Sequence, residues 1–357
     1  MPGFDVIVVG GGAVGTSALW NLAKGGAKRA LLLERLDGYG RGATGIWGSL
    51  VRMFYEKLPI TQSAARAVPF YNAFEEHVGT PFPSNRIGSL YFLERARLAH
   101  YEKHLAALSA SGVPFELVEA AQGRKQFPAF AWRSGDVAVY EPGAGLGSPR
   151  ETTEAFLRAA ERRGATSERN AEVVEILRAG GRATGVRLKD GRKLECDNLV
   201  ITAGVWTNHV LEGTGASVPA FPVSIQLNRF RRREGGRMHP FFIDLPALTF
   251  GHPTANGSFI GGWQGADREA AHAGVEHMSP AAASRAKHKL AARVPWLKHA
   301  TLEGGIKALE SYTESGVGLV ERLAGHDNVV VSTGWSCTGF TLAPVIGERI
   351  ARLVLGE

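Results

Sequence analysis

The segment Phe4-Asp5-Val6-Ile7-Val8-Val9 runs directly into Gly10-Gly11-Gly12-Ala13-Val14-Gly15, and this junction constrains the fold more than any other stretch of the chain. A β-prone run entering a G-x-G-x-x-G loop, followed by Thr16 to Lys24 with Leu19, Leu22 and Ala23 on one face, reads as strand, turn and amphipathic helix. Ala30 to Leu33 is a second apolar run, closed by Glu34. Together these pieces form a right-handed βαβ candidate. Gly10 allows the tight turn, Gly12 lets backbone N–H groups approach a pyrophosphate at the positive helix end, and Gly15 permits close packing of helix on strand. Glu34 is placed to accept hydrogen bonds from a ribose diol. The fingerprint fits NAD and FAD equally.

Hydrophobic residues at 44% and charged residues at 21% of the 357 positions describe a folded chain rather than a disordered one. That length exceeds what one core usually accommodates, so two structural units are expected, interleaved along the chain. Glycine supplies 45 residues, well above the roughly 7% average. Cys196 and Cys337 stand far apart in no redox or metal-ligand spacing, so neither a disulfide framework nor a metal site is expected. A reducing, cytoplasmic setting follows, and no apolar run reaches the ~18 residues of a membrane span. Of the net charge of +7, much lies in Arg229 to Arg237, five arginines against Glu234. This stretch reads as an outer strand face with solvated arginines entering a Gly235-Gly236 turn; its rival reading is a docking site for an acidic carrier protein. No motif supports nucleic-acid binding.

Further along, Pro149 to Arg163 reads as a helix capped by Ser148 and stopped at Gly164. Ala171 to Leu177, Gly185 to Leu188, Asn198 to Thr202 and Asn328 to Ser332 read as strands, and Pro344 as the opening of a last helix carrying Ile346, Ile350, Leu353 and Val354. Pro81 to Glu141 contains an amphipathic helix with Leu98, Tyr101, Leu105 and Leu108, while Pro219 to Tyr312 mixes β-runs with a helix opened by Ser279-Pro280. The expectation is an α/β chain with a Rossmann-like nucleotide domain over 1–80, 142–215 and 313–357. A mixed α+β substrate domain then covers 81–141 and 216–312.

Three more segments add to the fingerprint: Val200-Ile-Thr-Ala-Gly-Val-Trp-Thr-Asn208, Tyr312-Thr-Glu-Ser-Gly-Val-Gly-Leu-Val320 and Asn328-Val-Val-Val-Ser-Thr-Gly-Trp-Ser-Cys-Thr-Gly-Phe-Thr-Leu-Ala-Pro344. In their order and spacing the chain resembles the D-amino acid oxidase-like superfamily of FAD-dependent oxidoreductases, most nearly its monomeric sarcosine oxidase branch. The resemblance implies a glutathione reductase-type FAD-binding domain, with FAD extended from the fingerprint to the junction of the two domains. The residues matching cofactor positions, besides Gly10, Gly12 and Gly15, are Ala13, Val14, Glu34, Arg35, Ala43, Thr44, Leu50, Val173, Ala203, Gly204, Trp206, Gly339, Phe340 and Thr341.

The implied reaction is oxidation of a C–N bond in an amino acid or amine by hydride transfer to flavin N5, with oxygen or another acceptor reoxidising the flavin. It depends on positioning and an unprotonated amine more than on a strong base. Arg52, Tyr55, Phe250, His252, Trp263, Glu310, Tyr312, Trp335 and Thr338 are the candidates to line the substrate pocket. Arg52 matches a carboxylate clamp whose second member, a lysine in relatives, is Thr341 here; a structural ion pair is its other reading. His252 and Glu310 are the titratable groups able to hold an amine or take its proton, with Lys307 near enough in sequence to partner Glu310, and His252 also reads as a hydrogen-bonded loop residue. Phe259 stands where relatives carry a lysine that assists oxygen. Glu310 stands where the sarcosine oxidase branch has the cysteine that tethers flavin, so the FAD is expected to be noncovalent, and Cys337 reads as a buried, inert thiol. Oxidation of a hydroxy acid, or a flavoprotein subunit with a partner-binding role, are the alternatives.

Overall fold

In the computed structural model the described residues are 3–46, 50–232, 238–264, 269–270 and 277–356. β1 (Phe4–Val9) pairs in parallel with β2 (Ala30–Leu33) on one side and with the Lys193–Ile201 strand on the other. The Thr166–Glu168 strand extends this parallel core beyond β2, and His326–Thr333 adds a parallel strand beside Leu199 to Ile201. Val8, Leu32 and Val200 face α1 (Ala13–Lys24) and the helices packed with it, whereas Ile7, Leu33 and Ile201 face the opposite layer. This division follows from strand alternation in runs apolar on both faces. α1 begins three residues earlier than its apolar periodicity suggests, because Ala13, Val14 and Gly15 of the fingerprint are already helical.

The last helix, Gly339–Leu355, packs along α1. Their approach is close: a methyl group on Gly347 would lie 2.4 Å from the Ser17 hydroxyl oxygen. Pro344 does not open this helix, as its sequence position suggests, but lies inside it. A proline there lacks the N–H that would bond the Phe340 carbonyl one turn back. That carbonyl is taken instead by the Tyr71 hydroxyl at 2.5 Å, so the helix continues through the proline. The Leu98 to Leu108 stretch is likewise divided, into a 3-10 turn over Arg95–Tyr101 and an α-helix over Glu102–Ala110.

A second, mostly antiparallel sheet takes its strands from two stretches of chain, Ser89–Glu94, Glu116–Glu119 and Asp136–Glu141 from one, and Ala220–Arg231 through Thr301–Thr313 from the other. One face packs Leu90, Phe92, Phe230, Phe242 and Phe259 against Leu290 and Leu297. At its centre lies Arg293, fully buried, with Nε donating to Asp244 at 2.7 Å and Nη1 to Asp136 at 2.5 Å and to the Ala131 carbonyl at 2.7 Å. Arg229 and Arg231 are exposed and Arg231 pairs with Glu303; positions 233–237, including the Gly235-Gly236 turn, lie outside the described residues.

Candidate functional site

Between the two sheets runs a cavity of about 810 Å³, within the range of small-molecule and cofactor sites. Its first end is the fingerprint. Gly10 has φ +110°, and a methyl group there would lie 2.5 Å from the Thr202 carbonyl oxygen; one on Gly15 would lie 1.9 Å from the Gly10 carbonyl oxygen. Only glycine fits at either place. Gly12 precedes α1 and offers no side chain to cap it, while the Ala13 N–H reaches the Thr44 hydroxyl at 3.1 Å. Glu34 accepts from the Gly11 N–H at 2.7 Å and the Leu36 N–H at 2.9 Å, which locks the loop to the end of β2. Beside it, the Arg35 guanidinium lies 3.8 Å over the Trp206 ring, with Val173 lining the same region.

The residues at this end of the cavity fit a dinucleotide. An uncapped helix start behind a glycine turn suits a pyrophosphate, an acid at the end of the second strand suits a ribose, and a flat Arg–Trp stack suits an adenine.

At the other end, Arg52 is 9% exposed and lies 3.6 Å over the Tyr55 ring and 5.1 Å from that of Tyr91. Its Nη1 donates to the Phe54 carbonyl, its Nε has no hydrogen-bond partner, and among the described residues no carboxylate forms an ion pair with it. The structural ion pair is therefore absent there. Glu141, wholly buried, accepts from the Met53 and Phe54 N–H groups at 2.7 and 3.0 Å, fixing the backbone on which Arg52 sits. Burial pushes the Glu141 carboxyl up, and those two N–H groups and the Arg52 charge pull it back. Sequence reasoning missed Glu141, whose partners lie 88 and 87 residues away.

Glu310 lies on the Thr301–Thr313 strand directly opposite Val223 and faces the cavity. Burial raises its carboxyl to about 7, against the pull of the Ser311 N–H and the Cys337 thiol. Lys307 does not join it, since positions three apart on a regular strand point to opposite faces. Cys337 is not buried but exposed at the cavity, its sulfur 3.6 Å from the Tyr312 hydroxyl. Ser336 and Cys337 have φ of +49° and +64°, a costly conformation for residues with a Cβ. The turn they form presents the thiol to the cavity and leads into Thr338, whose hydroxyl donates to the Trp335 carbonyl at 2.5 Å.

Of the residues expected at the cofactor, Gly10, Gly12, Ala13, Val14, Glu34, Arg35, Ala43, Thr44, Leu50, Val173, Ala203, Gly204, Trp206, Gly339 and Phe340 line the cavity. Gly15 lies behind it, as its packing role requires. Thr341 is also behind the wall, 1% exposed, accepting from the Tyr55 hydroxyl at 2.9 Å and donating to the Leu50 carbonyl. Arg52, Tyr55, Phe250, Trp263, Glu310, Tyr312, Trp335 and Thr338 line the substrate end. His252 does not: it sits farther along the Phe250 strand, with Nδ1 3.1 Å from the Pro253 carbonyl oxygen. Phe259 does not either. Alternation turns Phe259 and Gly261 toward Leu290, and Phe259 is fully buried against Phe242 and Trp296, so this position does not present a side chain to the cavity. Among the described residues no cluster of His, Cys, Asp and Glu could hold a metal, and no helix is long and apolar enough to cross a membrane.

The chain is 26% identical to 4-methylaminobutanoate oxidase (formaldehyde-forming) of Paenarthrobacter nicotinovorans, over 98% of its own length and 43% of that protein's. It is also 26% identical to monomeric sarcosine oxidase of Streptomyces avermitilis, over 99% of this chain and 94% of the relative. Among solved structures, the crystal structure of L-proline dehydrogenase from P. horikoshii superposes with a TM-score of 0.88 at 21% identity, covering 100% of this chain and 94% of that one. The family described as "DAO: FAD dependent oxidoreductase" matches residues 5–353. The chain therefore belongs to the DAO family of FAD-dependent oxidoreductases.

Proposed function

We propose that this flavoenzyme oxidises the C–N bond of an amino acid or amine that carries a carboxylate. One observation carries the reading: Arg52 brings a buried guanidinium to the cavity with no carboxylate paired to it among the described residues. A buried cation in that state calls for an anion supplied from outside. FAD, when bound, supplies the two-electron acceptor for the bond being oxidised. Gly12 with Thr44, Glu34, and Arg35 with Trp206 would hold its pyrophosphate, ribose and adenine.

The chain's own residues then have three tasks. Arg52 binds the carboxylate and Tyr55, stacked beneath it and braced by Thr341, fixes its direction. Glu310, ionised above about pH 7, accepts a proton from the substrate ammonium and leaves the amine neutral. The apolar walls exclude water from the reacting bond. We assign residues 1–80, 142–215 and 313–357 to the cofactor domain and 81–141 and 216–312 to the substrate domain; the two large sheets divide between these stretches in support, while a small third sheet pairs Ser84–Asn85 with Gly145–Gly147 across the boundary. Docking of an acidic carrier protein at Arg229 to Arg237 has only the exposed Arg229 and Arg231 behind it, the latter already paired with Glu303.

The test is anaerobic mixing of the FAD-loaded protein with amines, amino acids and hydroxy acids. Bleaching of the flavin bands by amino acids is the expected result. Bleaching by hydroxy acids alone refutes the C–N assignment.

A further inference from the structure

We infer that the substrate is an amino acid whose side chain is apolar and several carbons long, larger than the methyl groups of the simplest N-methylated amino acids and without a second charge. The inference rests on Arg52 as the carboxylate site and concerns what lies next to it.

From Arg52 an unbroken apolar row crosses the second sheet. Tyr91, 5.1 Å from the guanidinium, is paired with Ile243, Ile243 with Phe250, and Phe250 with Gly262. Directly paired residues point to the same face, and Tyr91, Ile243 and Phe250 all line the cavity. Gly262 makes room for the row by having no side chain: a methyl group there would lie 2.8 Å from the Phe250 ring, so that ring reaches into the space over the glycine. On the Ala220–Arg231 strand, Val223, Ile225 and Leu227 alternate toward the same cavity, while Ser224, Gln226 and Asn228 turn away and are buried on the other face. The polarity of that strand is thus sorted, apolar toward the cavity and polar away from it. Glu310, opposite Val223, stands at the edge of the apolar patch.

Among the described residues the other basic ones lining the cavity are Arg35, stacked on Trp206, Lys57, which donates to the Ser315 carbonyl, and His209, beside Glu212. None belongs to the apolar row. A second carboxylate on the substrate would therefore be buried against Ile243, Phe250 and Leu227 with no cationic partner among the described residues.

Calorimetric titration of the FAD-loaded, oxidised enzyme with acetate, hexanoate and glutarate separates the two layers of the reading, because none of the three has an amine to oxidise. Hexanoate should bind more tightly than acetate by up to about fourfold per methylene buried, and glutarate no more tightly than acetate. Phe250→Ala should reduce the hexanoate-to-acetate ratio, and Arg52→Met should weaken all three ligands together. Equal affinity for acetate and hexanoate, or tightest binding of glutarate, overturns the apolar subsite while leaving the carboxylate site standing. Binding of all three unchanged by Arg52→Met overturns the carboxylate site itself. Anaerobic reduction adds a second readout, in which both enantiomers of leucine are compared with sarcosine and glutamate. Faster bleaching by sarcosine or glutamate than by either leucine overturns the inference.

Discussion

Glu310→Gln removes one ionisable group from the cavity wall and leaves its shape almost unchanged. In the folded protein the carboxyl titrates near 7 rather than at its ordinary 4.5, so the folded state holds the proton more tightly than the unfolded chain does. The stability associated with the neutral form is fully present below pH 4.5, declines as pH rises, and is lost once pH passes about 7. Each pH unit in that window is worth about 1.4 kcal/mol, so ionising Glu310 costs the fold about 3 kcal/mol by pH 8.5. Glutamine carries no such penalty. The difference in stability between variant and parent should therefore widen by about 2.5 kcal/mol between pH 5 and pH 8.5, which for a chain of this size is about 3 °C in Tm. Glu141, His104, His239 and His252 have displaced values too, but they are present in both proteins and cancel in the difference. Thermal unfolding of the FAD-loaded pair across that pH range is the assay. A gap that stays constant with pH, whatever its size, refutes the reasoning, because losing the hydrogen bond to Cys337 alone produces an offset and not a slope.

Arg293→Met should destabilise the protein by about 3 to 5 kcal/mol in urea unfolding, since Asp136 and Asp244 would remain buried as unpaired charges. Adding Asp136→Asn and Asp244→Asn should recover much of that loss; no recovery would place the effect in packing against Phe92 instead. Acid precipitation should release the flavin into the supernatant, because Glu310 supplies no thiolate for a covalent tether, and yellow colour kept in the pellet would contradict noncovalent binding.

The nucleotide end of the site was legible because its determinants are local. Strand, glycine turn, helix and acid follow one another within Phe4 to Glu34, and Gly10 and Gly15 answer to backbone contacts that the motif itself implies. The substrate end depends on which face a strand turns inward, and that is settled by register with strands far away in sequence. How far along the strand the cavity extends matters too: Phe250 and His252 share a face two residues apart, yet only Phe250 reaches the cavity. Phe259 looked aligned with a functional position, but pairing with distant strands directs it into the core. Glu141 bears on Arg52 only after the chain has brought the two segments together, and the exposure of Cys337 comes from two left-handed residues that no spacing rule signals. Pro344 misled for a related reason: the hydroxyl that rescues the helix belongs to Tyr71, in another helix.

The closeness of Gly347 to Ser17 has a consequence for how the protein is made. The first helix and the last form one packed layer, and the cavity wall draws on both the Gly10 loop and the Gly339 turn. During synthesis the Phe4–Lys24 strand, turn and helix leave the ribosome roughly three hundred residues before the Gly339–Leu355 helix that covers them. The nascent βαβ unit must wait with one apolar flank uncovered, and a chain ending before Gly339 lacks part of the cofactor wall as well as the helix that seals the core. Acquisition of the flavin is thereby tied to emergence of the Gly339 turn and its helix.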